Sequence, residues 1–155
     1  IRRIIAALAP AELEDGALAT ALAAMARRLS EQSGIGVDLH VDGSIVALPA
    51  SVEVALLRTA QSALANVRLH SGASRVVVSL VDDDDEIRLD IIDDGRGFDL
   101  GEPHATGVGA RTGYGLEFMR QRLRQLGGGL DLESAPGEGV ALSAHLPVHP
   151  REEGR

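Results

Sequence analysis

The apolar positions of the chain change period several times, and each change marks an element. Leu13 to Gln32 is rich in Ala and Leu at three- and four-residue spacing and predicts a helix that Ser33-Gly34 ends. Val37, Leu39 and Val41 alternate with Asp38, His40 and Asp42, which predicts a half-buried strand, turned by Asp42-Gly43 into a short second strand near Ile45-Val46. Pro49 and Ser51, the latter read as N-cap, open a second helix. In it Val52, Ala55, Leu56, Thr59, Ala60, Ala63, Leu64 and Val67 form the core stripe. Arg75–Val81 and Glu86–Ile92 read as strands around an acidic turn, Asp82–Asp85. Asp99–Thr112 lacks an apolar period and reads as a long loop, a candidate lid. Leu116, Met119, Leu123 and Leu126 make one face of a third helix, closed by Gly127-Gly128-Gly129. Leu130–Glu133 and Val140–Leu146 are the last strands, joined by a Pro136-Gly137 turn. Together these elements predict an α/β two-layer sandwich: one mixed sheet of about five strands with three helices on one face.

At the ends, Ile1–Ala9 reads as the tail of another helix, with Pro10 either stopping it or restarting the chain as a new helix, and the residues from Pro147 read as frayed. The chain begins with Ile1 and has the look of a piece of a longer protein.

Composition narrows the chemistry. The 155 residues carry a formal net charge of −8, and all 15 basic residues are Arg. Residues 81–100 hold nine acids and two Arg, so the acidity is local. An acidic chain with 2% aromatic residues does not suit nonspecific nucleic-acid or anionic-membrane binding, nor base stacking. Without Cys there is no disulfide, thiolate metal site or Cys nucleophile. The run Asp82–Asp85 is a solvated hairpin tip in its simplest reading, since it lacks the Gly and terminal Glu of a calcium loop.

Two glycine motifs carry candidate chemistry. Asp93-Asp94-Gly95-Arg96-Gly97 places a carboxylate at a strand end, where it can accept a hydrogen bond from a ligand amine while the glycines let the backbone approach. Gly113-Tyr114-Gly115-Leu116 reads as a helix opening, with free N–H groups and the positive dipole end available to phosphates. Read singly, each is as well explained by a plain turn or a flexible hinge. With no Lys there is no Walker loop. On the second helix Arg58, Ser62, Asn66 and His70 share one edge, and the Asn66 amide oxygen is a suitable hard ligand for Mg²⁺. The cations available to phosphates are Arg58, Arg68 and Arg111.

The order of these motifs resembles the ATP-binding catalytic domain of sensor histidine kinases, in the branch that pairs with NarL-type response regulators. This domain has the Bergerat fold that gyrase shares. Arg58–Val67 resembles the N box, Asp93–Gly97 the G1 box, and Gly113–Leu116 with Met119-Arg120 the G2 region; Pro136-Gly137-Glu138-Gly139 is similar to the late turn of the family. The resemblance implies residues 1–10 as a remnant of the dimerisation and phosphoacceptor domain, 11–147 as the catalytic domain and 148–155 as a flexible tail. It implies ATP and Mg²⁺ as cofactors, with Asn66 on the metal, Asp93 on the adenine amine and Gly95 and Gly97 shaping the base pocket. Gly113, Gly115 and Leu116 would lie toward the phosphates, with His70 near them. The γ-phosphate would pass to a His on the phosphoacceptor domain and then to the response regulator. The setting would be cytoplasmic, with any membrane anchor in other parts of the protein.

Four positions depart from the family pattern: Ser62 stands where Glu is usual, Leu69 where Lys is common, Phe118 where Gly is common and Val140 where Thr is usual. Ser62 bears on catalysis most, because a hydroxyl does not act as a base at neutral pH without a partner. None of His40, His70, His104, His145 and His149 sits in an E-x-x-H-D-like acceptor setting, so the chain alone is not expected to autophosphorylate. The competing readings are a catalytically degenerate nucleotide-binding or interaction module, and an anti-sigma-factor-type Ser kinase of the same fold.

Overall fold

The computed structural model describes residues 17–42, 45, 48–83, 85–98 and 108–148. In chain order these form α1 (Ala17–Ser33), β1 (Gly36–Val41), α2 (Ala50–Asn66), a π-helical turn (Val67–Ser71), β2 (Arg75–Asp83), β3 (Glu86–Asp93), α3 (Val108–Gln125), β4 (Gly129–Ser134) and β5 (Val140–Pro147). The sheet order is β1-β2-β3-β5-β4. Only β1 and β2 run parallel; the other three pairings are antiparallel, so the sheet is mixed as expected.

Strand alternation sends one face of this sheet into the core. Val76, Val78 and Leu80 of β2, Ile87, Leu89 and Ile91 of β3, and Leu142, Ala144 and Leu146 of β5 are buried. They meet Leu18 and Leu22 of α1, Leu56, Ala60 and Leu64 of α2, and Met119 and Leu123 of α3 in one cluster. Each fully buried Leu or Ile there contributes about 1.5–3 kcal/mol relative to exposure. α3 ends in a Schellman closure: Gly127 N–H donates to the Arg124 carbonyl (3.0 Å), and Gly128 N–H to that of Leu123 (2.8 Å).

Several sequence expectations are corrected. Ser51 does not cap α2. Pro49 occupies that position without a side-chain cap, and its carbonyl accepts the N–H groups of Val52 and Glu53, which places Ser51 inside the first turn. Ile45 is not in a strand, and Val46 lies outside the described residues. The acidic turn is narrower than Asp82–Asp85, because β2 runs through Asp83, which pairs with Glu86. The largest correction concerns α3. It begins at Val108, so 108–112 is helix rather than lid, and Gly113-Tyr114-Gly115-Leu116 lies inside the helix instead of opening it. Ala110 and Arg111 favour helix, and a glycine in a helix interior costs only about 1 kcal/mol, which the rest of the helix absorbs. Val148 donates its N–H to the Asp85 carbonyl (2.9 Å) and packs against the core. Residues 1–16, 99–107 and 149–155, which include the helix remnant and most of the lid, lie outside the described residues.

Candidate active site

The inward parity of β3 decides the character of Asp93. Ile87, Leu89 and Ile91 face the core, so the next residue at period two, Asp93, is turned inward and buried at 6% exposure. Its Oδ1 accepts the N–H of Gly95 at 2.8 Å. Burial pushes the carboxyl above the usual carboxylate range, and hydrogen bonds from the backbone of Gly95 and Val140 oppose that rise. A buried carboxylate held by backbone donors on the core side of a strand end is costly to keep.

The loop that follows is clamped on two sides. On one side lies the π-helical turn: Arg96 N–H donates to the Ser71 carbonyl (2.9 Å), and Arg96 Nε to the His70 carbonyl (2.7 Å). On the other lies the β4–β5 turn: Gly137 N–H donates to the Arg96 carbonyl (2.6 Å), and Phe98 N–H to Ser134 Oγ (2.9 Å). Both motif glycines are required by close approach. A Cβ at Gly95 would strike the Ser71 carbonyl and stand 2.8 Å from Asp93 Oδ1. Gly97 has φ +62°, and a Cβ there would strike the Ala135 carbonyl.

Asp94 does a different job. Its carboxylate accepts the N–H and hydroxyl of Ser74 and the N–H of Arg75, at 2.8, 2.6 and 3.0 Å. These donors hold it below the usual carboxylate range. It thereby ties the loop to the start of β2.

Asn66 closes α2 and leads directly into the π-helical turn. Insertions of this kind recur at functional sites, because they re-aim side chains without ending the helix. Asn66 is half-buried, and its side-chain amide has no hydrogen-bond partner among the described residues. His70 lies in the π-helical turn, half-buried, with its carbonyl engaged by Arg96. One turn before Asn66, Ser62 lines a groove of about 540 Å³ between α2 and α3, together with Arg58, Gln61, Phe118, Met119 and Arg122. Phe118 stands out from this wall at 65% exposure.

The structure therefore brings Asp93, Gly95 and Gly97 together with the backbone of His70 and Ser71. Gly113, Gly115 and Leu116 do not make a helix N-terminus. Leu116 is a core residue at 6% exposure, and the space a Cβ would take at Gly115 is open. The side chain of Arg111 lies outside the described residues. The sequence points to neither Ser71 nor Ser134, and it gives no role to Asp94 and Arg96 within the motif that contains them. The one available signal was strand parity, which separates an inward Asp93 from an outward Asp94.

Among the described residues no group of three or more His, Asp or Glu side chains converges to hold a metal ion. No described helix is long and apolar enough to cross a membrane.

This mixed sheet, with its glycine loop beside the end of a helix bearing Asn66, defines a class. The histidine kinase-, DNA gyrase B- and HSP90-like ATPase family matches residues 51–150, and the chain belongs to that family. Within it the similarity runs to sensor histidine kinases. The chain is 35% identical over 147 residues to the sensor histidine kinase MctS of Rhizobium johnstonii, covering 95% of this chain and 31% of MctS. It is 32% identical over 154 residues to the sensor histidine kinase LiaS of Bacillus subtilis, covering 99% of this chain and 41% of LiaS. The chain thus spans well under half of these relatives. The fold is that of the mycobacterial sensor histidine kinase MprB, with a TM-score of 0.63 at 23% identity over 88% of this chain and 97% of that one. It is an ATP-binding domain of the sensor-histidine-kinase kind.

Proposed function

We propose that the chain supplies the ATP-binding catalytic domain of a sensor histidine kinase and works on a His of a phosphoacceptor domain in the same protein. The inward, backbone-held carboxylate of Asp93 carries this reading. As an ionised acceptor it takes a hydrogen bond from the exocyclic amine of adenine, while Gly95 and Gly97 keep the loop thin enough for the base to enter. The triphosphate extends toward Asn66 and His70. A single amide oxygen with no competing described hydrogen bond suits Mg²⁺, which takes few protein ligands and completes its shell with phosphate oxygens and water. Bound there, the ion would neutralise charge on the phosphates, a task for which the chain has no Lys.

The reaction is transfer of the γ-phosphoryl group to an imidazole nitrogen of the acceptor His, with ADP as the other product. Ser62 lines the α2–α3 groove one turn before Asn66 and brings no carboxylate to receive the imidazole proton. Transfer of this kind depends mostly on positioning and charge, so the absence of a base slows it rather than stops it. The phosphoryl group then passes to a response regulator, of NarL type on the resemblance of the motifs. A second reading, a nucleotide-binding module without catalysis, draws its support from the same Ser62. Supplying the acceptor domain in trans, with Ser62→Glu and Asp93→Asn chains beside the native one, separates the two. We expect slow His phosphorylation by the native chain, faster by Ser62→Glu and, at subsaturating ATP, slower still by Asp93→Asn. Nucleotide binding without transfer by the native or Ser62→Glu chain would establish the second reading.

A further inference from the structure

We propose that Ser134 is a positioning residue for base recognition: its hydroxyl couples the loop after Asp93 to the β4–β5 turn and so fixes the carboxylate that meets adenine. This rests on adenine being held at Asp93. The Asp93 carboxylate accepts the N–H of Gly95 in the loop, and Asp93 is paired across the sheet with Val140 at the far end of the β4–β5 turn. The direction of its free acceptor position therefore follows the placement of the loop against the turn.

Ser134 ties loop to turn with one atom, beside the backbone bond from the Gly137 N–H to the Arg96 carbonyl. It is half-buried at the end of β4, opposite Val140 in the β4–β5 register, and Val140 is in turn opposite Asp93. Its Oγ accepts the Phe98 N–H at 2.9 Å and donates to the Gly139 carbonyl at 2.8 Å. The first bond fixes the exit of the loop, and the second fixes the residue preceding Val140. A Cβ at Gly97 would come within 3.0 Å of this same oxygen, and one at Gly139 would strike the Asp93 carbonyl, so loop and turn are already in contact at this point. No other side chain among the described residues hydrogen-bonds both.

The test compares binding of ADP with that of IDP, which lacks the exocyclic amine, by calorimetry on the same chain. The native chain should prefer ADP, and Asp93→Asn should abolish the preference. Ser134→Ala should weaken ADP binding roughly five- to tenfold, the scale of one or two lost hydrogen bonds. IDP binding should change less, so the preference narrows. Ser134→Thr, which keeps the hydroxyl, should restore it. If Ser134→Ala does not fold, Ser134→Cys keeps the shape with a weak donor and should show the same narrowing. A merely structural Ser134 would weaken both nucleotides equally, whatever the change in thermal midpoint, and that result overturns the positioning role. No ADP preference in the native chain would instead overturn the Asp93 reading, a result distinguishable because it appears without any change at Ser134.

Discussion

Asp93 and Asp94 are neighbours in the chain, yet their carboxyl groups are displaced in opposite directions. The first is buried and raised by loss of solvent; the second is exposed and lowered by the hydrogen bonds of Ser74 and Arg75. One strand end thus carries two carboxylates that respond to acid in different ways.

For Asp93 the proposed interaction needs an acceptor, which is the ionised form. Because its folded value is raised, protonation sets in at a higher pH than for an ordinary Asp. ADP affinity should therefore decline on acidification before the ordinary carboxylates titrate. Asp93→Asn should bind ADP roughly 10- to 100-fold more weakly at neutral pH, the scale of a hydrogen bond to a charged group, and lose this pH dependence. Its thermal midpoint at neutral pH should not fall, because the substitution also removes a buried charge. Isothermal titration across pH, with melting curves in parallel, checks both points.

For Asp94 the sign is reversed. A depressed carboxyl adds stability that is fully present above the unfolded value and is lost as pH falls through the folded one. Asp94→Ala should lower the thermal midpoint by about 2–4 °C at neutral pH, the shift expected for a small loss in a domain of this size. The gap to the native chain should stay constant toward pH 5 and close below the ordinary carboxylate range. Paired melts over a pH series report this directly.

Gly97→Ala meets two obstacles, a positive φ and the Ala135 carbonyl. The conformation alone costs about 1–3 kcal/mol for a residue with a Cβ. The clamp to the β4–β5 turn should open, with loss of both stability and ADP binding. Gly72→Ala has a similar φ, +61°, but open space, and serves as the control: it should lose stability with smaller effect on binding. Denaturant melts and ADP titration on both variants decide this.

Gly115→Ala probes α3. The position is helical and open, so the substitution should stabilise the helix by about 0.4–1 kcal/mol. If the segment stays helical when nucleotide binds, ADP affinity should hold or rise. A higher melting point with weaker ADP binding would show that the segment from Val108 to Gly115 leaves the helical state to meet phosphates.

The fold was legible because its signals are periodic. β2, β3 and β5 alternate cleanly, and α2 carries an unbroken stripe from Val52 to Leu64. The motifs around Asn66 and Asp93 were legible as residue types in order. The clamp was not, because its hydrogen bonds join residues far apart in the chain, such as Arg96 with His70, 26 positions away, and Phe98 with Ser134, 36 positions away, and no local pattern encodes them. The start of α3 was misread for the converse reason. Glycine is a local signal of helix ends, and here the helix continues through Gly113 and Gly115.

The bond between Val148 and Asp85 places the outgoing chain at the hairpin tip. β5 pairs with Asp93 at Val140 and with Glu86 at Pro147, so the two ends of this strand lie roughly 24 Å apart. A fluorophore attached at Val148 itself would thus sit at the opposite end of β5 from the Asp93 loop, far enough to report on the hairpin tip without touching that loop.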